Sequence, residues 1–284
     1  MTTTRRPATA MTTEAFAKVN FTLEVFGGRA DGYHALRSLV VPVSLSDTVS
    51  VEPAPSLSSD FGEDDLCLKA ARELCAGRGA AIGVEKRIPV GGGLGGGSAD
   101  AAAALVALNE AWGLGRTRAE LVEIAARVGS DVPALVHGGP VVMEGRGELV
   151  APFMQEGEAF PRLWLVLANP GVASSTREVY GTCASRVTDD ARILYNMRRA
   201  LASGELGRIA SAMVNDLAEA AVRLHPEIGA AMALLREAGV VGAAVSGSGS
   251  TVFGLVPDET RGLEIAAFLD AKGIWARCVH TDVP

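Results

Sequence analysis

Pro89-Val-Gly-Gly-Gly-Leu-Gly-Gly-Gly-Ser-Ala-Asp-Ala-Ala-Ala-Ala-Leu105 constrains this chain more than any other stretch: six glycines surround Leu94 and run straight into a helix-forming alanine block. A strand-to-helix turn needs one or two glycines, and each further one costs roughly 0.5 to 1 kcal/mol of chain entropy. Glycines let consecutive backbone N–H groups point at one anion, because no Cβ blocks close approach and positive φ carries no penalty. Ser98 is placed to cap a helix over Ala99 to Leu108, whose unpaired first-turn amides favour negative charge. The expectation is a phosphate cradle built from Gly91, Gly92, Gly93, Leu94, Gly95, Gly96, Gly97 and Ser98, entered through Pro89.

Two common loop patterns fit less well. A P-loop needs Lys and then Ser or Thr directly after its last glycine, and no Lys follows any glycine here. The dinucleotide fingerprint matches literally as Gly91-x-Gly93-x-x-Gly96, yet a run this rich in glycine satisfies it by chance. The acidic ribose ligand expected ~20 residues later has no good candidate beyond Glu110 or Glu120.

Composition narrows the class. A chain of 284 residues can hold one large or two medium domains. With 26 Lys and Arg against 33 Asp and Glu the formal charge is −7, which argues against a nucleic-acid surface. Cys67, Cys75, Cys183 and Cys278 lack metal-type spacing and read as reduced core residues of a cytoplasmic protein. No apolar run reaches the ~18 residues of a membrane span. Met1 to Thr13, short and without an apolar segment, reads as a disordered tail rather than a targeting peptide.

Ala15 to Phe26 alternates as a strand ending at Gly27-Gly28. It puts Lys18 and Asn20 on one face with Phe16 and Thr22, an amine beside an amide, suited to a polyanion. Asp31-Gly32 signals a turn, beside Tyr33-His34, a stacking ring next to a hydrogen-bonding one. Strands are expected at Leu39–Val43 and Asp47–Val51, joined by a turn at Ser44 and Ser46. A helix is expected over Asp64–Arg78, then a strand at Ile82–Ile88. Thr117-Arg-Ala-Glu120 is a capping box for a helix to Val128. Beyond it, Gly129-Ser-Asp131-Val-Pro133 presents an acid on a loop. The acidic, Pro-containing stretch 151–161 marks a boundary between domains 1–160 and 161–284. The second domain opens with a strand at Leu163–Ala168, followed by helices over 189–203, 205–222 and 226–238. The strands Val240–Val245 and Thr251–Val256 flank a second glycine turn, Ser246–Ser250. A last helix and a strand at Ile274–Thr281 close the chain.

Three separated motifs, at about residues 15–23, 89–105 and 244–254, occur in the order typical of the GHMP kinases (galactokinase, homoserine, mevalonate and phosphomevalonate kinases). The glycine stretch resembles that family's second motif, a loop that wraps the triphosphate of ATP. Within the family, Ala17-Lys-Val-Asn20, Arg29-x-Asp-Gly-Tyr-His34, Gly129-x-Asp-Val-Pro133, Asn169-Pro-Gly-Val172 with Thr176, and Asn215-Asp-Leu217 look like the branch whose acceptor is a cytidine diphosphate ester of methylerythritol. The resemblance implies an α+β, two-domain GHMP kinase fold, with an N-terminal domain like ribosomal protein S5 domain 2 and a ferredoxin-like C-terminal domain. It implies ATP as phosphoryl donor, Mg2+, and small-molecule substrates, with no nucleic acid and no membrane as partner and the oligomeric state left open. Asp131 carries over as general base and Lys18 as its partner, with Asn20 and Thr176 on the substrate. Tyr33 and Tyr180 would sandwich cytosine while His34 reads its edge, and Asp65 and Leu66 would lie on the adenine side. Three positions depart from the family pattern: Ala99 replaces a second serine, Asp65 stands where Asn is common, and Tyr180 where Phe is common. Another GHMP kinase would not need Tyr33, His34 and Tyr180; a dinucleotide-dependent oxidoreductase would use the same glycines for a pyrophosphate.

Overall fold

The long N-terminal strand is longer than its alternation predicts: β1 spans Met11–Gly28, so Met11 to Thr13 belong to a strand and not to a tail. The computed structural model describes residues 10–28, 34–62, 65–184, 192–281 and 283. The rest of the expected tail, the Asp31-Gly32 turn, Tyr33, Asp64 and the start of the helix expected from residue 189 lie outside them. The second strand, β2, runs unbroken over His34–Pro53, where two strands and a turn are expected. Ser44 and Ser46 do not turn the chain: the Ser46 hydroxyl donates to Glu14 at 3.1 Å and Ser44 accepts from the His280 amide at 3.0 Å. Sheet pairing overrides their turn preference.

The chain divides into two compact units, the first made of Met1–Ala17, Leu45–Ile88 and Gly95–Gly138, the second of Lys18–Ser44, Pro89–Leu94 and Gly139–Pro284. In the first, β4 (Ala80–Glu85) pairs antiparallel with the end of β2, from Thr48 opposite Glu85 to Pro53 opposite Ala80, and β3 (Ser58–Ser59) lies parallel to β4. Four helices follow in this unit: α1 (Leu66–Leu74), α2 (Gly96–Ala111), α3 (Arg118–Val128) and α4 (Val132–His137). α1 ends earlier than expected because Cys75 is extended and Gly77, at φ +82°, takes the left-handed turn out of the helix. The capping box of α3 is formed as its sequence requires: Thr117 Oγ1 accepts from Glu120 N at 3.3 Å, and Glu120 Oε2 accepts from Thr117 N at 2.8 Å. The alanines of α2 are buried around most of the helix, from Ala99 to Ala104 and again at Ala107 and Ala111. Their small side chains let α1 and α4 pack close against it.

In the second unit β5 (Val141–Gly145) pairs antiparallel with the first part of β2, and β6 (Leu149–Pro152) pairs with β5. The rest of the unit is built on an antiparallel sheet of β7 (Trp164–Asn169), β9 (Gly242–Val245), β10 (Val252–Val256) and β11 (Trp275–His280), in the order β11-β7-β10-β9. Helices α5 (Thr176–Thr182), α6 (Arg192–Ser203), α7 (Leu206–Ala212), α8 (Ala218–Leu224) and α9 (Pro226–Glu237) lie between β7 and β9, and α10 (Glu259–Ala271) between β10 and β11. This βαββαβ order is the ferredoxin-like arrangement. Its core joins Val166, Ala168, Val252 and Ala276 of the sheet to Ile228 and Leu235 of α9 and Ile265 and Leu269 of α10. The single helix expected over 205–222 is two, interrupted by the two-residue strand β8 (Val214–Asn215), which pairs parallel with Thr22 and Leu23 of β1.

Candidate active site

The glycine loop is held by its carbonyls. Gly91 O accepts from Ser174 N at 3.3 Å, Gly92 O from Thr251 N at 2.9 Å, and Leu94 O from Lys18 N at 3.0 Å. Gly93 O accepts twice, from Ser246 Oγ at 3.0 Å and from Lys18 Nζ at 3.3 Å. In a trans peptide the next N–H points opposite to each carbonyl, so the amides of Gly92 to Gly95 turn away from these partners. Among the described residues no hydrogen bond uses the amides of Gly92 to Ser98. A run of donors this long left without protein acceptors, ending on a helix N-terminus, is what an oligophosphate requires.

Helix α2 begins three residues before the alanines, and Ser98 is not its cap. Gly95 is the N-cap at φ +71°, and Ala99 N closes the first turn on Gly95 O at 2.8 Å. Ser98 therefore lies in the first turn, where its amide joins the unpartnered run. Gly93 has no room for a side chain: at φ +77°, a Cβ would stand 2.3 Å from Ser246 O and 2.6 Å from Gly249 O.

Lys18 and Asn20 share a face, as alternation predicts, but that face is buried, with 4% and 1% exposure. Lys18 Nζ donates to Asn20 Oδ1 at 2.8 Å, Asn20 Nδ2 donates to Ser38 Oγ at 2.8 Å, and Ser38 Oγ donates to Thr22 O at 2.6 Å. This chain of donors fixes the ammonium beside the Gly93 carbonyl. In the same unit the Thr176 and Ser248 hydroxyls meet at 3.0 Å, and the His34 and Tyr180 rings lie 5.7 Å apart, tilted by 36°. Tyr33 is outside the described residues.

Of the site residues in the first unit, Leu66 comes within 4.0 Å of the position a Cβ would take on Gly97. Asp65 is the N-cap of α1: Oδ1 accepts from Cys67 N at 2.9 Å and Oδ2 from the Ser59 hydroxyl. Asp131 is not in a plain loop; it is the N-cap of α4, with Pro133 in the first turn. Its carboxylate makes no capping hydrogen bond.

Sequence reasoning missed a buried ion cluster at the start of α2. Lys86 Nζ bonds Asp100 Oδ2 at 2.7 Å and also Asp47 Oδ2, while Asp47 Oδ1 accepts from Ile88 N at 2.8 Å. A Cβ on Gly96 would sit 3.3 Å from this ammonium. Burial pushes the Asp100 carboxyl up to about 7 against the pull of Lys86, and Asp47 pushes the same way as burial. For Lys86, burial works against the charge, but the bonds to Asp100 and Asp47 outweigh it and raise the pKa. The available signal was Asp100 itself, an acid inside an alanine block too apolar to face water. Asn169 and Asn215, which stood in the sequence only as motif residues, turn out to be supports: Asn169 donates to Thr251 Oγ1 at 2.9 Å, and Asn215 to both Val245 O and Gly247 O at 2.8 Å. All four cysteines are free, but only Cys67 is fully buried. Among the described residues no group of three or more His, Cys, Asp or Glu is arranged to hold a metal ion, and no helix is long and apolar enough to cross a membrane.

Residues 65–139 match the model of the GHMP kinases N terminal domain and residues 197–274 that of the GHMP kinases C terminal domain. A 4-diphosphocytidyl-2-C-methyl-D-erythritol kinase of Symbiobacterium thermophilum is 40% identical over 266 residues, 89% of this chain and 93% of the relative. The chain belongs to the GHMP kinase family. A kinase of the same description from Cereibacter sphaeroides is 43% identical over 262 residues, 87% of this chain and 90% of that one. The crystal structure of a 4-(cytidine 5'-diphospho)-2C-methyl-D-erythritol kinase superposes with a TM-score of 0.80 at 34% identity, covering 95% of this chain and 98% of the other. The two-domain GHMP kinase fold follows, and the N-terminal family match takes in α1, the glycine loop and α2 through α4.

Proposed function

We propose that this GHMP kinase transfers the γ-phosphoryl group of ATP to the 2-hydroxyl of 4-diphosphocytidyl-2-C-methyl-D-erythritol, giving the 2-phosphate and ADP in the non-mevalonate isoprenoid pathway. The carrying observation is the similarity to kinases of that description, at 40% identity over 89% of this chain. The run of amides from Gly92 to Ser98 supports ATP as donor, because a stretch that is glycine at all but Leu94 and Ser98 offers N–H groups with little side-chain bulk to a triphosphate. ATP supplies the electrophilic phosphorus and its own leaving group. Asp131 takes the proton from the acceptor hydroxyl, a poor nucleophile until a carboxylate is positioned on it. Lys18, oriented by Asn20, offsets charge on the phosphoryl oxygens. Mg2+ in such sites is held largely by phosphate oxygens and water. His34, Tyr33 and Tyr180 hold the cytosine, Thr176 and Asn20 the rest of the acceptor, and Asp65 and Leu66 the adenine side. We place the join between the domains within 151–161, and a cytoplasmic location suits the free cysteines.

The deciding assay is ADP release with ATP and the cytidine diphosphate ester, run beside homoserine and phosphomevalonate. Turnover of either alternative in place of the ester overturns the reading. So does a thermal-shift screen in which NAD(P) alone stabilises the chain. For the donor site, Gly93→Ala is expected to weaken ATP binding by tenfold or more, ~1.4 kcal/mol, because the new methyl meets two carbonyls; calorimetry showing wild-type affinity would refute the cradle. For the acceptor site, Tyr180→Ala should raise the acceptor KM by about 5- to 100-fold through ~1 to 3 kcal/mol of lost stacking. The ATP KM should hold, and Tyr180→Phe should cost little. If both KM values shift together with a lowered Tm, Tyr180 is a packing residue instead.

A further inference from the structure

Asn215 sits in β8, directly opposite Leu23 in the parallel pairing with β1, the strand that carries Lys18 and Asn20. Its side chain is fully engaged. Nδ2 donates to Val245 O and to Gly247 O, each at 2.8 Å, and Oδ1 accepts from Leu217 N at 2.8 Å. Only a side-chain amide offers two donors and an acceptor in this short, planar form. The two carbonyls bracket Ser246, whose hydroxyl donates to Gly93 O at 3.0 Å, the same oxygen that accepts from Lys18 Nζ. Gly247, at φ +56°, lies against the other side of this group: a Cβ there would be 3.3 Å from Gly93 O, 3.4 Å from Asn20 Oδ1 and 3.4 Å from Lys18 Nζ. Ser246 is wholly buried and Lys18 nearly so, so the ammonium cannot move without the turn that walls it in.

We infer that Asn215 is a positioning residue for phosphoryl transfer: by clamping the Val245–Gly247 turn it fixes Gly93 O and, through it, the Lys18 ammonium. The inference rests on the kinase reading given above. A misplacement of about 1 Å in a transferring group can cost about 100-fold in rate, which is the scale a loosened clamp would reach.

Asn215→Asp keeps the shape, removes both donors and turns a carboxylate toward two carbonyls. Expected is a fall in kcat of about 10- to 100-fold with the KM for ATP and acceptor changed by less than about threefold. Residues that act as a unit are not additive, so in a Lys18→Met background the same substitution should lower kcat no further. Independent, multiplying losses in that double variant would overturn the inference, as would unchanged kcat in the single one. If Asn215→Asp does not fold, Ser246→Ala, which removes the other hydrogen bond to Gly93 O, goes through the same cycle with the same criteria. Should wild-type protein leave the cytidine diphosphate ester unphosphorylated, the kinase reading fails separately. The clamp is then judged by the crystal structure of the variant, where a Lys18–Gly93 hydrogen bond kept in place would refute it and a displaced ammonium would support it.

Discussion

Asp131→Asn should lower turnover by at least about 100-fold while leaving ATP and acceptor affinities near their wild-type values. Four other N-cap side chains among the described residues are used for capping: Asp65 accepts from Cys67 N, Thr117 from Glu120 N, Ser175 from Glu178 N and Asp258 from Arg261 N. Asp131 occupies the same position on α4 and makes no such bond. Its carboxylate does not cap the helix end. Asn is as good an N-cap residue as Asp and has nearly the same size, so the substitution keeps the shape while removing the charge and the proton acceptor. Turnover by ADP release and affinities by calorimetry separate chemistry from binding. Near-normal turnover would place the base elsewhere and leave Lys18 and phosphate positioning as the main catalytic contributions.

Features set by a few neighbouring residues were legible in the sequence. The capping box of α3, the glycine loop before an alanine helix, and the alternation that puts Lys18 beside Asn20 all depend on short-range spacing. What stayed hidden depends on distant partners. Nothing between Glu205 and Val222 forbids a continuous helix; the break at Val214–Asn215 exists because β1 offers a free edge there. Ser44 and Ser46 look like turn residues until Glu14 and His280 supply their hydrogen-bond partners. The N-cap of α2 was misplaced for a different reason, since a serine before alanines is the stronger local signal, yet only glycine can take Gly95's left-handed conformation at no cost. For the site, the loop and the Lys18 face could be read directly. The motifs holding Asn169, Asn215 and Ser246 could be read too, but not the bonds these residues make, because the partners lie up to 153 residues away in the chain.

Lys86→Ala should destabilise the protein by about 3 to 5 kcal/mol, the usual cost of removing one partner from a buried ion pair. The Asp47 side chain is fully shielded and that of Asp100 is 7% exposed, so without Lys86 both acids are left buried with no cation. Asp47 keeps its bond to the Ile88 amide; Asp100 Oδ1 has no hydrogen-bond partner even with Lys86 present. Asp100→Asn should therefore restore part of the loss in the Lys86→Ala background. Its effect in the wild-type background depends on pH. The folded-state pKa of Asp100 is raised from the ordinary 3.8 to about 7, so between those values the folded protein binds more protons than the unfolded chain. By linkage its contribution to stability falls as pH rises through that window and is fully lost above about 7. Asn cannot titrate, so Asp100→Asn should gain stability relative to wild type between pH 5 and pH 8. Urea unfolding of the three variants at both pH values tests this. A Lys86→Ala protein within about 1 kcal/mol of wild type would show that the carboxylates find water instead, and an Asp100→Asn difference that does not grow with pH would remove Asp100 as the titrating group.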